Sequence, residues 1–252
     1  MGSLEDLLAD VWGRRGGPPL DLLCVAPHPD DAELGMGGTL ALEADRGQRA
    51  GVLDLSRGEM ASNGTPQDRL RESAAAAEIL GLAWRGNLGL PDRDLEAAGA
   101  VTALALALRA LRPRVLCIPH PADPHPDHAA AHRLAVEAAF SAGLRRLEGG
   151  AGPHRAEVVL QYFINGWAEP TFLCDVTAAY GRKSRAIAAH QSQFGAGEAR
   201  TRLNTGGAVA QVEGRERFFG GQAGVGMAEG FVLARPLKLS GVTDIGRRPD
   251  DG

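Results

Sequence analysis

Leu22-Leu23-Cys24-Val25-Ala26-Pro27-His28-Pro29-Asp30-Asp31-Ala32-Glu33-Leu34-Gly35-Met36-Gly37-Gly38 sets the architecture of this chain. Residues 22–26 carry no charge and read as a strand buried on both faces. Pro27 breaks the run, His28, Asp30 and Asp31 crowd into a tight turn, and a helix begins at residue 32. Strand, turn and helix in that order open a parallel α/β sheet, whose ligands bind at the carboxyl ends of the strands. One histidine and two carboxylates in a single turn are unfavourable unless a proton or a cation relieves them. The reading adopted is that a metal ion relieves them.

Outward from that stretch, residues 33–46 read as a helix ended by Gly47, and residues 50–55 as a second strand. Ser56-Arg57-Gly58-Glu59 follows on the same ligand edge. Residues 67–80 form an alanine-rich helix stopped by Gly81. Residues 84–88 make a weak third strand, Leu90-Pro91-Asp92 is turn chemistry, and residues 96–111 are an apolar helix. A fourth strand, 114–118, runs into Pro119-His120-Pro121-Ala122-Asp123-Pro124-His125-Pro126-Asp127-His128, after which a helix spans 127–140. Two of the first four strands therefore end in His/Asp clusters, and parallel strands of one sheet would bring both to one edge. Further strands are expected at 157–164, 171–176 and 229–239, helices at 177–190 and 207–219, and a loop at 192–198. The expected class is α/β: a Rossmann-like, mainly parallel sheet with helices on both faces, one domain over residues 20–240. Residues 1–19, with helical spacing at 3–12 and a Gly16-Gly17-Pro18-Pro19 break, read as an N-terminal extension, and 241–252 as a flexible tail.

A chain of 252 residues suits one large domain, and 44% hydrophobic with 23% charged residues is ordinary for a globular protein. A net charge of −4 offers no basic surface, which argues against a nucleic-acid partner. No apolar run approaches the roughly 20 residues of a membrane helix. Met1 to Pro19 lacks the charged-then-apolar order of a signal peptide, so the expected location is the cytoplasm. Cys24, Cys117 and Cys174 each sit in an apolar run and read as buried side chains rather than zinc thiolates.

Imidazole and carboxylate together suit zinc, which takes three protein ligands and an open position in catalytic sites. His28 and Asp31 share one turn. The third ligand must come from the second cluster, which offers His120, His125, His128 and His132, and His128 is best placed in the first turn of a helix. His132 shares a helix face with His128 and reads as packed or solvated. Taken singly, Asp30 or Asp31 is a helix cap and His28 a loop histidine. His-Pro-Asp-Asp after one strand and His-Pro-Asp-His after another, in a chain with seven histidines, favours a joint site. A dinucleotide fingerprint through Gly35, Gly37 and Gly38 fails, because its third glycine falls on Leu40. These glycines read instead as allowing a helix to pack closely on the sheet.

Residues 27–35 and 123–128 together resemble the LmbE/PIG-L family of zinc-dependent sugar N-deacetylases, over nearly the whole stretch 20–239. Residues 54–59, 87–92, 190–194 and 228–231 extend the likeness, most closely to the bacillithiol-pathway branch that deacetylates N-acetylglucosaminyl-malate. The resemblance implies His28, Asp31 and His128 as ligands of zinc or ferrous iron, and Asp30 as general base. It implies that His125 stabilises the oxyanion or protonates the leaving amine; Asp123 or Asp127, beside it in sequence, reads either as orienting it or as a loop cap. Arg57 would lie in the substrate pocket, its planar fork suited to a substrate carboxylate. The implied partner is a small GlcNAc conjugate, and the implied assembly a homo-oligomer, in many members a hexamer. Asn165-Gly166-Trp167 departs from the family pattern, where a more polar or histidine-bearing stretch is expected.

Overall fold

The computed structural model describes residues 19–149 and 151–241. Seven strands form one sheet: β1 (Leu22–Ala26), β2 (Ala50–Ser56), β3 (Trp84–Leu90), β4 (Val115–Pro119), β5 (Val158–Tyr162), β6 (Phe172–Asp175) and β7 (Ala228–Leu233). Their order is β3-β2-β1-β4-β5-β7-β6. The first five run parallel, and β7 runs antiparallel to both β5 and β6. The helices are α1 (Asp31–Asp45), α2 (Pro66–Leu80), α3 (Ala100–Leu111), α4 (Pro126–Ala142), α5 (Tyr180–Ala189), α6 (Gln191–Phe194) and α7 (Gly207–Ala223). The expected α/β class, a mainly parallel sheet with helices on both faces, is the observed one.

The alternation of β1 divides the core. Leu23 and Val25 face one side, with Leu53, Leu55, Leu116 and Ile118, beneath Leu104 and Leu108 of α3 and Leu134 of α4. Leu22, Cys24 and Ala26 face the other, against Met36 and Leu40 of α1, Leu80 of α2 and Ile187 of α5. Burial on both faces explains why β1, β4 and the first four residues of β2 are uninterrupted apolar runs rather than alternating ones. Each such Leu, removed from water, contributes about 1.5–3 kcal/mol.

The chain leaves β1 toward β2 on one side and returns as β4 on the other. The strand order therefore reverses between β1 and β4, and the crevice at their carboxyl ends is a topological switch point. Register pairs Leu22 with Val115 and Cys24 with Cys117, so the two His/Asp clusters emerge side by side.

The glycines of α1 pack as expected. A Cβ on Gly35 would lie 2.4 Å from Tyr162 Cδ2, and one on Gly38 would lie 2.7 Å from Val176 Cβ. Some expected boundaries shift. The 96–111 helix starts at Ala100, because residues before it turn and Gly99 takes φ 86°. The 192–198 loop overlaps one helical turn, α6. The closing strand ends at Leu233 rather than 239. Cys24 and Cys117 are buried free thiols and Cys174 is half-buried. Among the described residues no helix is long and apolar enough to cross a membrane. The expected helix at 3–12 and most of the expected tail lie outside the described residues.

Candidate metal centre

The turn after β1 and the turn after β4 close on each other. His28 Nδ1 lies 3.0 Å from Asp31 Oδ2, and His128 Nε2 lies 3.2 Å from the same oxygen. Ligand atoms of His28, Asp31 and His128 all lie within 4.8 Å of one another. Tetrahedral bonds of about 2.0–2.2 Å put neighbouring donor atoms about 3.3 Å apart, so this spacing suits a shared ion with little movement. A second set with the same property, His28, Asp92 and Asp127, shares His28. His28 Nε2 stands 3.2 Å from Asp92 Oδ1 and 3.2 Å from Asp127 Oδ2. Asp92 belongs to the turn after β3, the end of the 87–92 stretch that extends the family likeness.

Charge supports the fit. Burial opposes protonation of His28, but hydrogen bonds to Asp127, Asp31 and Asp92 outweigh it and hold its pKa well above the ordinary range. His128 is also opposed by burial, yet the charge of Asp31 and a hydrogen bond to Asp123 push it up to about 9. Burial would raise Asp31, but His128 and His28 hold it well below the ordinary range. Without metal, two imidazolium protons thus offset half of the charge of Asp31, Asp92, Asp123 and Asp127. A divalent cation supplies the same two charges and releases those protons.

The second ring nitrogen of each histidine is also held. His128 Nδ1 sits 2.9 Å from Asp123 Oδ1. A carboxylate behind a ligating histidine fixes the ring and raises its basicity. Of the two readings of Asp123 and Asp127, orienting His125 or capping the loop, neither carboxylate reaches the His125 ring, which is met instead by the Asp127 backbone N–H. Asp123 accepts from the His125 backbone N–H at 2.9 Å and orients the ring of His128, while Asp127 faces His28 and pairs with Arg93.

Asp30 precedes α1 with φ 117°, in the left-handed region that a non-glycine residue rarely adopts. Its side chain makes no cap bond to the helix, so capping is not its role. Arg69, buried on α2, donates to Pro29 O and stands 3.3 Å from Asp30 Oδ2. Burial and the charge of Asp31 outweigh Arg69 and push Asp30 up to about 6, with burial the larger cause. One turn further, Glu33 pairs with Arg85 of β3, which also forks onto Asp54 at 2.9 and 3.0 Å. That buried bridge ties α1 to β2 and β3.

His125 is the residue before α4, and its Nδ1 accepts from the Asp127 backbone N–H at 3.2 Å. A neutral ring in that arrangement carries its proton on Nε2. Burial, and next the charges of His128 and His28, lower its pKa, so it is neutral at pH 7. His120 instead packs on Phe163, and His132 Nδ1 lies 2.9 Å from Pro119 O. Neither approaches His28. His190 is fully buried beside Glu33, 3.5 Å from its carboxylate.

A cavity of about 370 Å3 opens over His28, Asp30, Asp31, His125 and His128. Arg69, Arg93 and Arg202 share its wall. Arg57 does not line it. Arg57 lines an adjoining cavity of about 310 Å3 with Asp54, Arg85 and Asn87, and Arg69 is common to both. Asn165, which departs from the family pattern, reaches the site: its Nδ2 is 3.3 Å from His128 Nδ1. The sequence shows no sign of Arg69 or Arg93 at the site, and it marks Asp92 and Asn165 without placing them beside His28 and His128. The available signal for Asp92 and Asn165 was their place just past the carboxyl ends of β3 and β5.

A family model described as PIG-L: GlcNAc-PI de-N-acetylase matches residues 23–139, from β1 into α4. A diacetylchitobiose deacetylase of Thermococcus kodakarensis is 32% identical over 189 residues, 69% of this chain and 70% of that protein. A 1D-myo-inositol 2-acetamido-2-deoxy-alpha-D-glucopyranoside deacetylase of Catenulispora acidiphila is 33% identical over 174 residues, 54% of this chain and 49% of that protein. The crystal structure of the conserved protein TT1542 from Thermus thermophilus superposes with a TM-score of 0.80 at 46% identity, covering 87% of this chain and 97% of that one. With the sheet order, the paired His/Asp turns and these relatives together, the chain belongs to the PIG-L/LmbE family of deacetylases.

Proposed function

We propose that the protein hydrolyses the N-acetyl amide of an N-acetylglucosamine conjugate, with His28, Asp31 and His128 holding one divalent cation, zinc or ferrous iron. The observation that carries this reading is one cavity lined by a three-ligand set, an ionisable carboxylate and a histidine. A cation bound there supplies Lewis acidity toward water and the acyl oxygen.

The chain's own groups do the rest. Asp30, whose pKa is pushed up to about 6 in the metal-free protein, is ionised at neutral pH and stands beside the ligands to take a proton from the attacking water. Arg69, 3.3 Å from Asp30 Oδ2, holds the carboxylate in place. His125 donates from Nε2 to the oxygen that gains charge as the tetrahedral adduct forms. Since Nδ1 is occupied by a backbone N–H, the donor is the neutral ring rather than an imidazolium. One such donor is worth about 3–4 kcal/mol in the transition state. The proton held by Asp30 then passes to the departing amine, which leaves acetate and a free glucosamine conjugate.

The aglycone we propose is malate, as in bacillithiol biosynthesis, on the strength of the motif stretches 54–59, 87–92, 190–194 and 228–231. Arg57 in the adjoining cavity would take the malate carboxylate. Relatives named for diacetylchitobiose and for an inositol glycoside supply the competing substrates. We also propose a cytoplasmic homo-oligomer, with a hexamer as the first state to look for by solution mass.

The test is acetate release from the malate glycoside, diacetylchitobiose and the inositol glycoside. Chelator-treated protein is assayed before and after zinc or ferrous iron is restored. Metal-restored turnover of any of the three supports deacetylation, and the preferred one names the aglycone. Turnover that survives complete metal removal would end the proposal.

A further inference from the structure

α1 is interrupted directly behind the metal turn. Met36 takes φ −150° and ψ 26°, outside the helical region, so residues 31–35 and 37–45 are two helical pieces joined across a kink. A break of this kind strands the last carbonyls of the first piece and the first amides of the second. Here the stranded groups are met by buried charges from elsewhere in the chain. Gly38 N–H donates to Glu229 Oε1 at 2.9 Å and Thr39 N–H to Glu229 Oε2 at 2.7 Å. Lys183 Nζ donates to Leu34 O at 3.1 Å and to Glu229 Oε1 at 2.6 Å.

An unbroken helix closes Gly38 N–H directly onto Leu34 C=O. In this protein the same link passes through two side chains: amide, Glu229, Lys183, carbonyl. The ion pair is inserted into the helical ladder, which is one of the recognised causes of a kink. Glu216 Oε1 takes a further hydrogen bond from Lys183, and Arg215 donates to Leu34 O at 3.2 Å. Lys183 and Glu216 are fully buried and Glu229 almost so. Gly37 leaves the room: a Cβ on it would lie 3.2 Å from Lys183 Cγ.

The geometry points to Lys183 and Glu229 as positioning residues for the Asp30–Leu34 turn, and through it for the Asp31 ligand. Glu229 on β7 starts the rear half of α1, and Lys183 on α5 ends the front half. The front turn can therefore sit at an angle that a straight helix would not give it. This rests on the proposed metal role of Asp31, and the two can fail separately.

The test compares wild type with Glu229→Gln, and with Lys183→Gln/Glu229→Gln, which removes both charges together and leaves no lone buried Glu229. Hydrogen exchange of residues 28–38 is followed in the metal-free proteins. Zinc affinity is read by competition with a chromophoric chelator, and thermal unfolding serves as the control. Amides of the front turn are expected to exchange roughly tenfold faster, beyond what the change in global stability explains. Zinc affinity is expected to fall about 10–100-fold, as for a lost supporting contact. Unchanged exchange at residues 28–38 in both variants overturns the inference, whatever happens to melting temperature. Faster exchange in a chain whose wild type takes up no zinc upholds the positioning and removes the proposed function instead. Should the single variant fail to fold, the double variant alone decides by the same two readouts.

Discussion

Replacing Asp30 by Asn should make the metal-free protein more stable and nearly inactive. The side chain is 5% exposed, and its pKa stands at about 6 instead of the ordinary 3.8. A raised acid favours the fold in its protonated form. That advantage is complete below pH 3.8 and is lost as pH rises through 6. At about 1.4 kcal/mol per pH unit, the ionised carboxylate costs the native state about 3 kcal/mol at pH 8. Asn mimics the protonated form at every pH and tolerates a positive φ at least as well as Asp. The variant should therefore gain about 3 kcal/mol at pH 8, or about 6–12 °C in Tm, and less than about 1 kcal/mol at pH 4. Bound metal lowers the Asp30 pKa and shrinks the gain, so urea unfolding should be run in chelator. Turnover with metal restored should fall about 10²–10⁴-fold, with metal still bound. An equal gain at both pH values, or a loss at pH 8, would refute the buried-base argument. Full activity would remove Asp30 from proton transfer.

Asp123→Asn should weaken metal affinity about 10–100-fold by releasing the ring of His128, read by chelator competition. Arg85→Met should cost about 3–5 kcal/mol in urea unfolding at pH 7, because it leaves Glu33 and Asp54 as uncompensated buried charges. Arg57→Ala should raise KM for the malate glycoside more than for a neutral N-acetylglucosaminide, and equal changes on both would rule out a carboxylate clamp. Gly38→Ala should cost about 1–3 kcal/mol, since its Cβ would meet Val176 Cβ at 2.7 Å.

What the sequence made legible was local or periodic. The uncharged runs at 22–26, 50–53 and 115–118 are strands because both faces are buried, and polar residues follow each within a few positions. Placing His28 and His128 on one edge needed only parallel pairing of β1 with β4, which is the pairing observed. The direction of β7 left no trace in its composition, since a strand buried against Phe219 reads alike in either sense. Contacts between distant residues were also invisible. Nothing near Arg69 announces Asp30, and nothing near Lys183 announces Leu34 and Glu229. Closeness in sequence tied Asp123 to His125, whose backbone N–H it does accept, but could not show that the turn also delivers its carboxylate to the ring of His128. Arg57 follows β2 on the ligand edge, as read, but it lines the neighbouring cavity, and Arg69 is the side chain that the two cavities share.

Everything proposed for the chemistry requires one ion gripped by His28, Asp31 and His128, from the ends of two neighbouring strands. Anomalous diffraction at the zinc edge, from crystals grown with zinc, locates that ion without reference to activity. One peak is expected within bonding distance of His28 Nδ1, Asp31 Oδ2 and His128 Nε2, absent in His128→Ala. A peak on His28 Nε2 with Asp92 and Asp127, or none at this cluster, would contradict the three-ligand site.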